Sequence, residues 1–319
     1  MIPIIEEAAL RAAMTPRIAV DVIRAAFIAD GQGRTHVPGV INLDLPQAHG
    51  EFHIKTAAID GVPHIAVKIA SGFYDNPSRG LPSGAGLMAV FDAATGMPGA
   101  LLLDNGFLTD IRTAAAGAVA ADLLARPDID IVGVIGSGVQ ARMQVHCLAT
   151  VRRVGAVVAW SPTPGHLVRY CDELNREGIA ARPASSPEDV CRQADLIITA
   201  TPSRAPIVRS QWLRPGTHIT ALGADAPGKQ ELDPECLARA DLVVVDRLSQ
   251  CAAFGELKHA IDRGCFSAAQ VHAELGTIAA GRKAGRTTPE QLTIADLTGV
   301  GFQDTAIASA ALATVNIND

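Results

Sequence analysis

The segment from Ile131 to Ala141 (IVGVIGSGVQA) most constrains what this chain can become. A β-branched apolar run leads into Gly136-Ser137-Gly138-Val139-Gln140-Ala141, and a helical pattern follows from Val139 to Val151. Gly-x-Gly-x-x-Ala between a strand and a helix is the pattern of a dinucleotide-binding βαβ unit. Gly136 permits the tight turn, and Gly138 lets the backbone approach a pyrophosphate held at the helix N-terminus. Ala141 keeps the helix close to the strand. The competing reading is a buried strand with an ordinary glycine turn. The loop starts only after 130 residues, so something else must be built ahead of it.

The 319 residues are 48% hydrophobic and 19% charged, enough for two domains with cores of their own. A formal net charge of −6 and the lack of a basic block argue against a nucleic-acid partner. No stretch approaches the roughly 18 uncharged apolar residues of a membrane span. The N-terminus has no basic region of the secretory type. The six cysteines (147, 171, 191, 236, 251 and 265) form no Cys-x-x-Cys pair, and the nine histidines lack ligand spacing. This usage implies free thiols in a reducing compartment, no metal site and a cytoplasmic location.

The first 30 residues read as helix, with Thr15-Pro16 as cap and first-turn proline for Arg17 to Ala29. Short β-type runs follow at Val40–Leu45, Glu51–Ile59, His64–Ile69, Leu87–Asp92 and Gly99–Leu103, with Asp60-Gly61 as a hairpin turn. An alanine-rich helix is expected from Thr109 to Ala125, capped by Thr109 or Asp110. Strands then fall near 130–135, 156–160, 179–182, 195–200, 218–222 and 241–246, with helices between most of them. Leu292–Leu297 leads through Thr298-Gly299-Val300-Gly301 into a last helix, Asp304–Ala313. The expected fold is α/β. A doubly wound parallel Rossmann domain spans 126–302, and an α+β domain spans 1–125, with the helix of 303–319 packing back on it.

Three residues invite chemistry. Arg112 falls in the first turn of the expected 109–125 helix, where a cation opposes the helix dipole. A bound anion would remove that conflict; a solvated arginine, or one paired with Asp110, is the alternative. Lys68 lies inside a strand that reads as buried, so it snorkels at an edge or faces a polar cleft, and Lys55 has the same character. Asp225 follows a strand of the nucleotide domain, where ligands of open parallel sheets sit, and is either a proton-transfer group or a turn cap. The polar stretch Ser71–Ser83 lines a site or is a simple crossover.

Five ordered blocks are similar to the ornithine cyclodeaminase/μ-crystallin family over nearly the whole chain. They are Val67-Lys68, Ile111–Ala115, Ile135–Ala141, Gly223–Leu232 and Asp296–Gly301. The resemblance implies a homodimer, with 1–125 as the substrate and dimerisation domain, that binds NAD(H) or NADP(H) and acts on the C–N bond of a small α-amino or α-imino acid. It implies Lys68 and Arg112 as holders of the substrate carboxylate and Asp225 as the acid/base. Ser83, Arg112, Thr113, Gly136, Gly138, Val139, Gln140, Thr201, Gly223 and Lys229 would meet the cofactor or its surroundings, with Thr298 facing the nicotinamide end and the substrate.

Two departures matter. Asn42 stands where the family often has an arginine for the substrate carboxylate. Ser161, followed by Pro162 and Thr163, stands where NAD-preferring members often have an aspartate for the ribose 2′-hydroxyl, which tilts the expectation toward NADP(H). Arg152 and Arg153 are the cations considered as partners for a 2′-phosphate. Ser71–Pro77, Leu103–Gly106 and Asp225–Lys229 look most similar to the cyclodeaminase-like proteins associated with ectoine utilisation. The implied activity is that of an imine reductase or amino acid dehydrogenase. The alternatives are an ammonia lyase of the ornithine cyclodeaminase type with internally recycled cofactor, and a non-catalytic small-ligand binding protein of the μ-crystallin type.

Overall fold

The computed structural model describes residues 2–315. They divide into two compact units, one made of residues 2–112 with 300–315 and the other of 113–299. The division falls within the helix Phe107–Leu124.

The first unit is built on a seven-stranded sheet: β1 (Ile4–Glu6), β2 (Thr35–His36), β3 (Ile41–Leu45), β4 (Gly50–Ile59), β5 (His64–Phe73), β6 (Gly84–Asp92) and β7 (Pro98–Leu103). The order is β1-β7-β6-β5-β4-β2, with β3 also on β4. β1 runs parallel to β7 and all other pairs are antiparallel. The Asp60-Gly61 turn joins β4 to β5 as its composition requires, with Gly61 at φ +83°.

Register decides what each face of this sheet carries. Across β4 and β5, Ala57 faces Ala66, Lys55 faces Lys68, His53 faces Ala70 and Glu51 faces Gly72. Across β5 and β6, Ala66 faces Val90, Lys68 faces Met88, Ala70 faces Gly86 and Gly72 faces Gly84. One end of this face is apolar and buried beneath two helices, Pro16–Gly31 and Gly301–Thr314. Thr15 caps the first of these, its hydroxyl oxygen accepting from Ile18 N at 3.4 Å. Phe27 and Phe302 meet edge to face, 5.4 Å apart. The second helix lies so close to β4 that a Cβ at Gly301 would strike the Thr56 backbone. Thr305 locks it there, accepting from Ala66 N at 3.1 Å and donating to Ala57 O at 2.6 Å. The opposite face carries Ile54, Ile65, Val67, Ile69, Leu87, Phe91 and Leu101, all only half-buried, and Ile41 and Leu43 are 60% and 54% exposed.

The second unit holds an eight-stranded parallel sheet: β8 (Ile131–Ile135), β9 (Ala156–Trp160), β10 (Ala181–Pro183), β11 (Leu196–Thr199), β13 (His218–Ala221), β15 (Leu242–Val245), β16 (Ala273–Glu274) and β17 (Thr293–Asp296). A separate parallel pair is formed by β12 (Arg204–Val208) and β14 (Gln230–Leu232). The sheet order is β10-β9-β8-β11-β13-β17-β15-β16. The direction of winding therefore reverses between β8 and β11, which makes a topological switch point beyond their carboxyl ends. Central strands are buried on both faces; β8 and β11 are rich in Ile and Val, while β13 and β17 bury His218 with Thr293 and Thr220 as its hydrogen-bond partners at 2.8 and 3.0 Å.

Three expectations are corrected. The first 30 residues are not all helical, because Ile4–Glu6 pairs with β7 and a separate helix, Glu7–Ala13, follows it. β5 continues past Ile69 to Phe73. The alanine-rich helix starts at Phe107, because Asn105 (φ 49°) and Gly106 (φ 88°) turn the chain and the Asp104 carboxylate accepts from Leu108 N at 2.8 Å. Thr109 and Asp110 are therefore inside the first turn, and Arg112 lies beyond it. The small strands β2, β12, β14 and β16 had no clear signal in the sequence.

Candidate functional site

The first unit gathers Lys55, Lys68, Arg112 and Asp304 in its interior; they are 6%, 3%, 3% and 0% exposed. Register on β4 and β5 sets the two lysines side by side. Arg112 Nε donates to Asp304 Oδ1 at 2.8 Å, and its Nη1 donates to Gln303 Oε1 at 3.0 Å. Lys68 Nζ lies 3.4 Å from Asp304 Oδ2. The arginine is therefore neither solvated nor paired with Asp110; it meets a carboxylate almost two hundred residues away in sequence.

The charges of all three basic side chains act on Asp304, and a second buried acid, Asp104, interacts with Lys68. Burial pushes Lys68 down to about 7, with the Arg112 and Lys55 charges adding to the effect and Asp304 opposing it. Burial works against ionisation of Asp304, but Arg112, Lys68 and Lys55 together outweigh it and hold the carboxyl below its ordinary range. Because Arg112 and Lys55 disfavour the charge on Lys68, an incoming anion is favoured there. The guanidinium adds a planar fork suited to a carboxylate.

Asn42, the expected arginine position, stands in β3 opposite His53, and its Oδ1 is hydrogen-bonded to His53 Nδ1 at 2.7 Å. His53 Nε2 lies 3.4 Å from Glu51 Oε1, which also accepts from the Tyr74 hydroxyl at 2.5 Å. Ser83, expected at the cofactor, ends the connection between β5 and β6, its carbonyl accepting from Phe73 N at 2.7 Å.

In the second unit the glycine loop has the required shape. Gly136 takes φ +125°, and a Cβ there would lie 2.6 Å from Ala200 O, so only glycine fits. A Cβ at Gly138 would meet nothing within 4 Å. The helix Val139–Ala149 begins with no side-chain cap and with Val139 52% exposed. Its first N–H groups are thus presented at an uncrowded terminus, as a pyrophosphate requires. Ala141 is fully buried, and Gln140 is half-buried in the first turn. Thr113 O accepts from the buried Gln144 Nε2 at 3.1 Å. After β9, Ser161 Oγ accepts from Ser137 Oγ at 3.0 Å and from Thr163 N at 3.5 Å. Arg152 is engaged elsewhere, with Nε 2.9 Å from Asp122 Oδ1.

The loops after β11 and β13 are tied together by a residue that sequence reasoning passed over. Glu231, fully buried, accepts from Thr199 Oγ1 at 2.7 Å, Thr201 N at 2.6 Å and Gly223 N at 2.8 Å. A side chain at Gly223 would collide with Thr201 O and this carboxylate. Burial raises Glu231 to about 7 despite its hydrogen bonds. Glu256, behind it, accepts from Glu231 N at 2.7 Å and Leu232 N at 3.1 Å, and burial lifts it well above the carboxylate range. Asp296 is likewise pushed up to about 7 by burial. Asp225, half-exposed, is paired with Lys229 Nζ at 2.9 Å. Thr298 is internal: its hydroxyl donates to Asp246 Oδ1 at 3.0 Å and accepts from Gln250 Nε2 at 2.8 Å.

Structure thus brings Lys68 and Arg112 together and, separately, Thr201, Gly223 and the stretch bearing Asp225 and Lys229. Lys55, Asp304, Gln303 and Glu231 were missed as members of these clusters. Their only sequence signal is an ionisable or amide side chain in an otherwise apolar or glycine-rich element.

The ornithine cyclodeaminase/mu-crystallin family model matches residues 6–315. The chain belongs to that family. A putative dehydrogenase of Rhizobium meliloti is 44% identical over 318 residues, covering 99% of this chain and 96% of the relative. An archaeal alanine dehydrogenase dimer with bound NAD superposes with a TM-score of 0.92 at 32% identity, covering 98% of this chain and 95% of that one. The Δ1-pyrroline-2-carboxylate reductase of Thermococcus litoralis, in complex with NADH and L-proline, superposes with a TM-score of 0.94 at 28% identity, covering 98% and 97%. Among the described residues no helix is long and apolar enough to cross a membrane.

Proposed function

We propose that this family member is an NAD(P)-dependent oxidoreductase acting on the C–N bond of a small α-imino or α-amino acid. The observation that carries the reading is the buried cluster in which Lys68 and Arg112 share the carboxylate of Asp304, with Lys55 beside Lys68 on the neighbouring strand. Such a cluster presents two buried cations to a substrate carboxylate in a chain whose second unit carries a dinucleotide loop. The bound amino acid of the pyrroline-carboxylate reductase and the NAD of the alanine dehydrogenase dimer support it.

Lys68 and Arg112 hold the carboxylate, fixing Cα for reaction. The nicotinamide, when bound, supplies a hydride to Cα of the imine or removes one from the amine. Asp225 gives a proton to the nitrogen on reduction and takes one on oxidation, with Lys229 holding its carboxylate between turnovers. Gly136, Gly138, Val139 and Gln140 receive the pyrophosphate, while Thr113, Thr201, Gly223 and Thr298 shape the cofactor site. Ser161 and Thr163 offer hydroxyls rather than a carboxylate at the ribose position, which supports NADP(H) over NAD(H).

The half-exposed apolar face of the first unit's sheet, ending in Ile41 and Leu43, supports a homodimer, as does the dimeric alanine dehydrogenase relative. Light scattering of the purified chain at twice its monomer mass is expected. The functional test is spectrophotometric: an imino acid should drive oxidation of NAD(P)H, one equivalent per amino acid formed. Ammonia release from ornithine without net cofactor oxidation would support the cyclodeaminase reading instead.

A further inference from the structure

The first unit holds a cavity of about 490 Å³ that none of the cluster cations lines. It lies between the helices Pro16–Gly31 and Gly301–Thr314, beside the turn that joins β4 to β5. Phe27 and Phe302 fill the space where these helices meet. Ala26 and Ala29 of the first helix and Ala306 and Ala310 of the second leave it open. Its size is that of a small-molecule site, and its walls are mostly apolar. The cavity is separate from the reaction centre. His64, in its wall, is four residues from Lys68 on β5, about 13 Å between Cα atoms. Between them Ala66 is fully buried, and its N–H donates to the Thr305 hydroxyl at 3.1 Å. The rim carries one charge of each sign. Arg34 and Asp60 both line the cavity, are exposed, and are neighbours where Asp60 N donates to Arg34 O at 2.9 Å, next to the β2–β4 pairing. Arg34 Nε donates to the neutral Gln32 Oε1 at 2.9 Å, and among the described residues no acid forms an ion pair with its guanidinium. Asp60 Oδ1 is bonded to His36 Nε2 at 2.9 Å, and among the described residues Oδ2 has no partner.

We propose that this cavity is a second ligand site, which takes an apolar α-amino acid as its zwitterion: the carboxylate on Arg34, the ammonium on Asp60 and the side chain among the alanines. The guanidinium presents a planar fork to the carboxylate. The ammonium gains a charge-assisted hydrogen bond to Asp60. A carboxylic acid or an amine alone would leave one of the two rim charges unmatched. A side chain with a charge of its own would be desolvated against the alanines without a partner. Occupancy needs neither the cofactor nor turnover, so the site stands apart from the reaction assigned to the chain.

The test is titration calorimetry of the purified chain without cofactor. The probes are L-leucine and L-phenylalanine, with 4-methylpentanoate and 3-methylbutylamine as the one-charge analogues of leucine and L-aspartate as the polar control. At least one of the two apolar amino acids should bind, about ten-fold or more tightly than L-aspartate, and leucine should exceed both of its analogues by a similar factor. Arg34→Gln and Asp60→Asn each remove one rim charge from an exposed position and should weaken that binding about ten-fold or more, with the melting temperature unchanged. Asp60→Asn also keeps a residue suited to the turn before Gly61. Ala310→Phe should abolish binding by filling the cavity; if that variant does not fold, the two rim variants decide. Binding that survives all the folded variants belongs to the cation cluster and overturns the second site. So does binding of neither apolar amino acid, or equal binding of L-aspartate.

Discussion

Asp304→Asn keeps the shape of a fully buried side chain and removes the single negative charge that Arg112 and Lys68 share. Breaking a buried ion pair from one side costs about 3–5 kcal/mol, because the remaining charges stay desolvated. At about 2–4 °C per kcal/mol for a chain of this size class, the melting temperature should fall by about 6–20 °C. The cluster can relieve part of that cost by releasing a proton from Lys68, already depressed to about 7 by burial with Asp304 opposing the shift.

The sign of the pH effect follows from proton counts. Between about pH 7 and 10.5 the unfolded lysine keeps a proton that the folded one has lost, so Lys68 makes stability rise with pH in that window. Without Asp304 the folded pKa moves lower and the rise begins below pH 7. Activity reads the same proton. If protonated Lys68 helps hold the substrate carboxylate, wild-type kcat/KM falls above about pH 7, and in the variant that limb moves at least one unit toward acid. Urea denaturation and kcat/KM measured from pH 5.5 to 9 report both effects. A variant with wild-type stability to within about 1 kcal/mol and an unmoved limb would refute the placement of Asp304 in a charge cluster that serves the substrate.

Asp225→Asn should lower kcat by about 10²–10⁴-fold while NAD(P)H still quenches protein fluorescence at near wild-type concentrations; near-normal turnover removes Asp225 as acid/base. Ser161→Asp should shift the NADPH-to-NADH ratio of kcat/KM toward NADH by at least ten-fold, since a carboxylate accepts from a ribose hydroxyl and repels a 2′-phosphate; an unchanged ratio places the ribose elsewhere. The buried acids Glu231 and Asp296, both raised to about 7, bind protons in the folded state that the unfolded chain releases near 4. Their contribution to stability is therefore largest below about pH 4.5 and declines as pH rises toward 7. Glu231→Gln should flatten that decline, read by urea midpoints between pH 4.5 and 7.5; the wild-type slope retained in this variant would remove Glu231 from the account.

What was legible in the sequence was periodic or local. The Ile and Val runs of β8, β11 and β15 and the glycine turn at 136 announced the second unit because each signal lies within a dozen residues. The polar clusters were harder. Asp304 and Arg112 meet across 192 positions, and nothing in the Phe302-Gln303-Asp304 stretch distinguishes a cluster acid from a helix-start acid. Lys55 and Lys68 read alike in the sequence, each at an edge or facing a polar cleft, whereas register sets the two side by side. The end of β5 was missed for a related reason. Ala70-Ser71-Gly72 has the small, polar composition of a loop, yet it continues the strand as a floor lacking bulky side chains. The start of the 107–124 helix was displaced because Asp104, three residues upstream of it, supplies the side-chain acceptor that Thr109 or Asp110 was expected to provide.

The central claim is hydride transfer between a nicotinamide and the α-carbon of an imino acid. It is tested most directly with NAD(P)H deuterated at C4, an imino acid substrate and the purified chain, followed by mass and NMR analysis of the product. The account predicts one deuterium at Cα of the amino acid for each cofactor oxidised. Deuterium absent from Cα, or ammonia formed from a diamino acid without net cofactor oxidation, would contradict it.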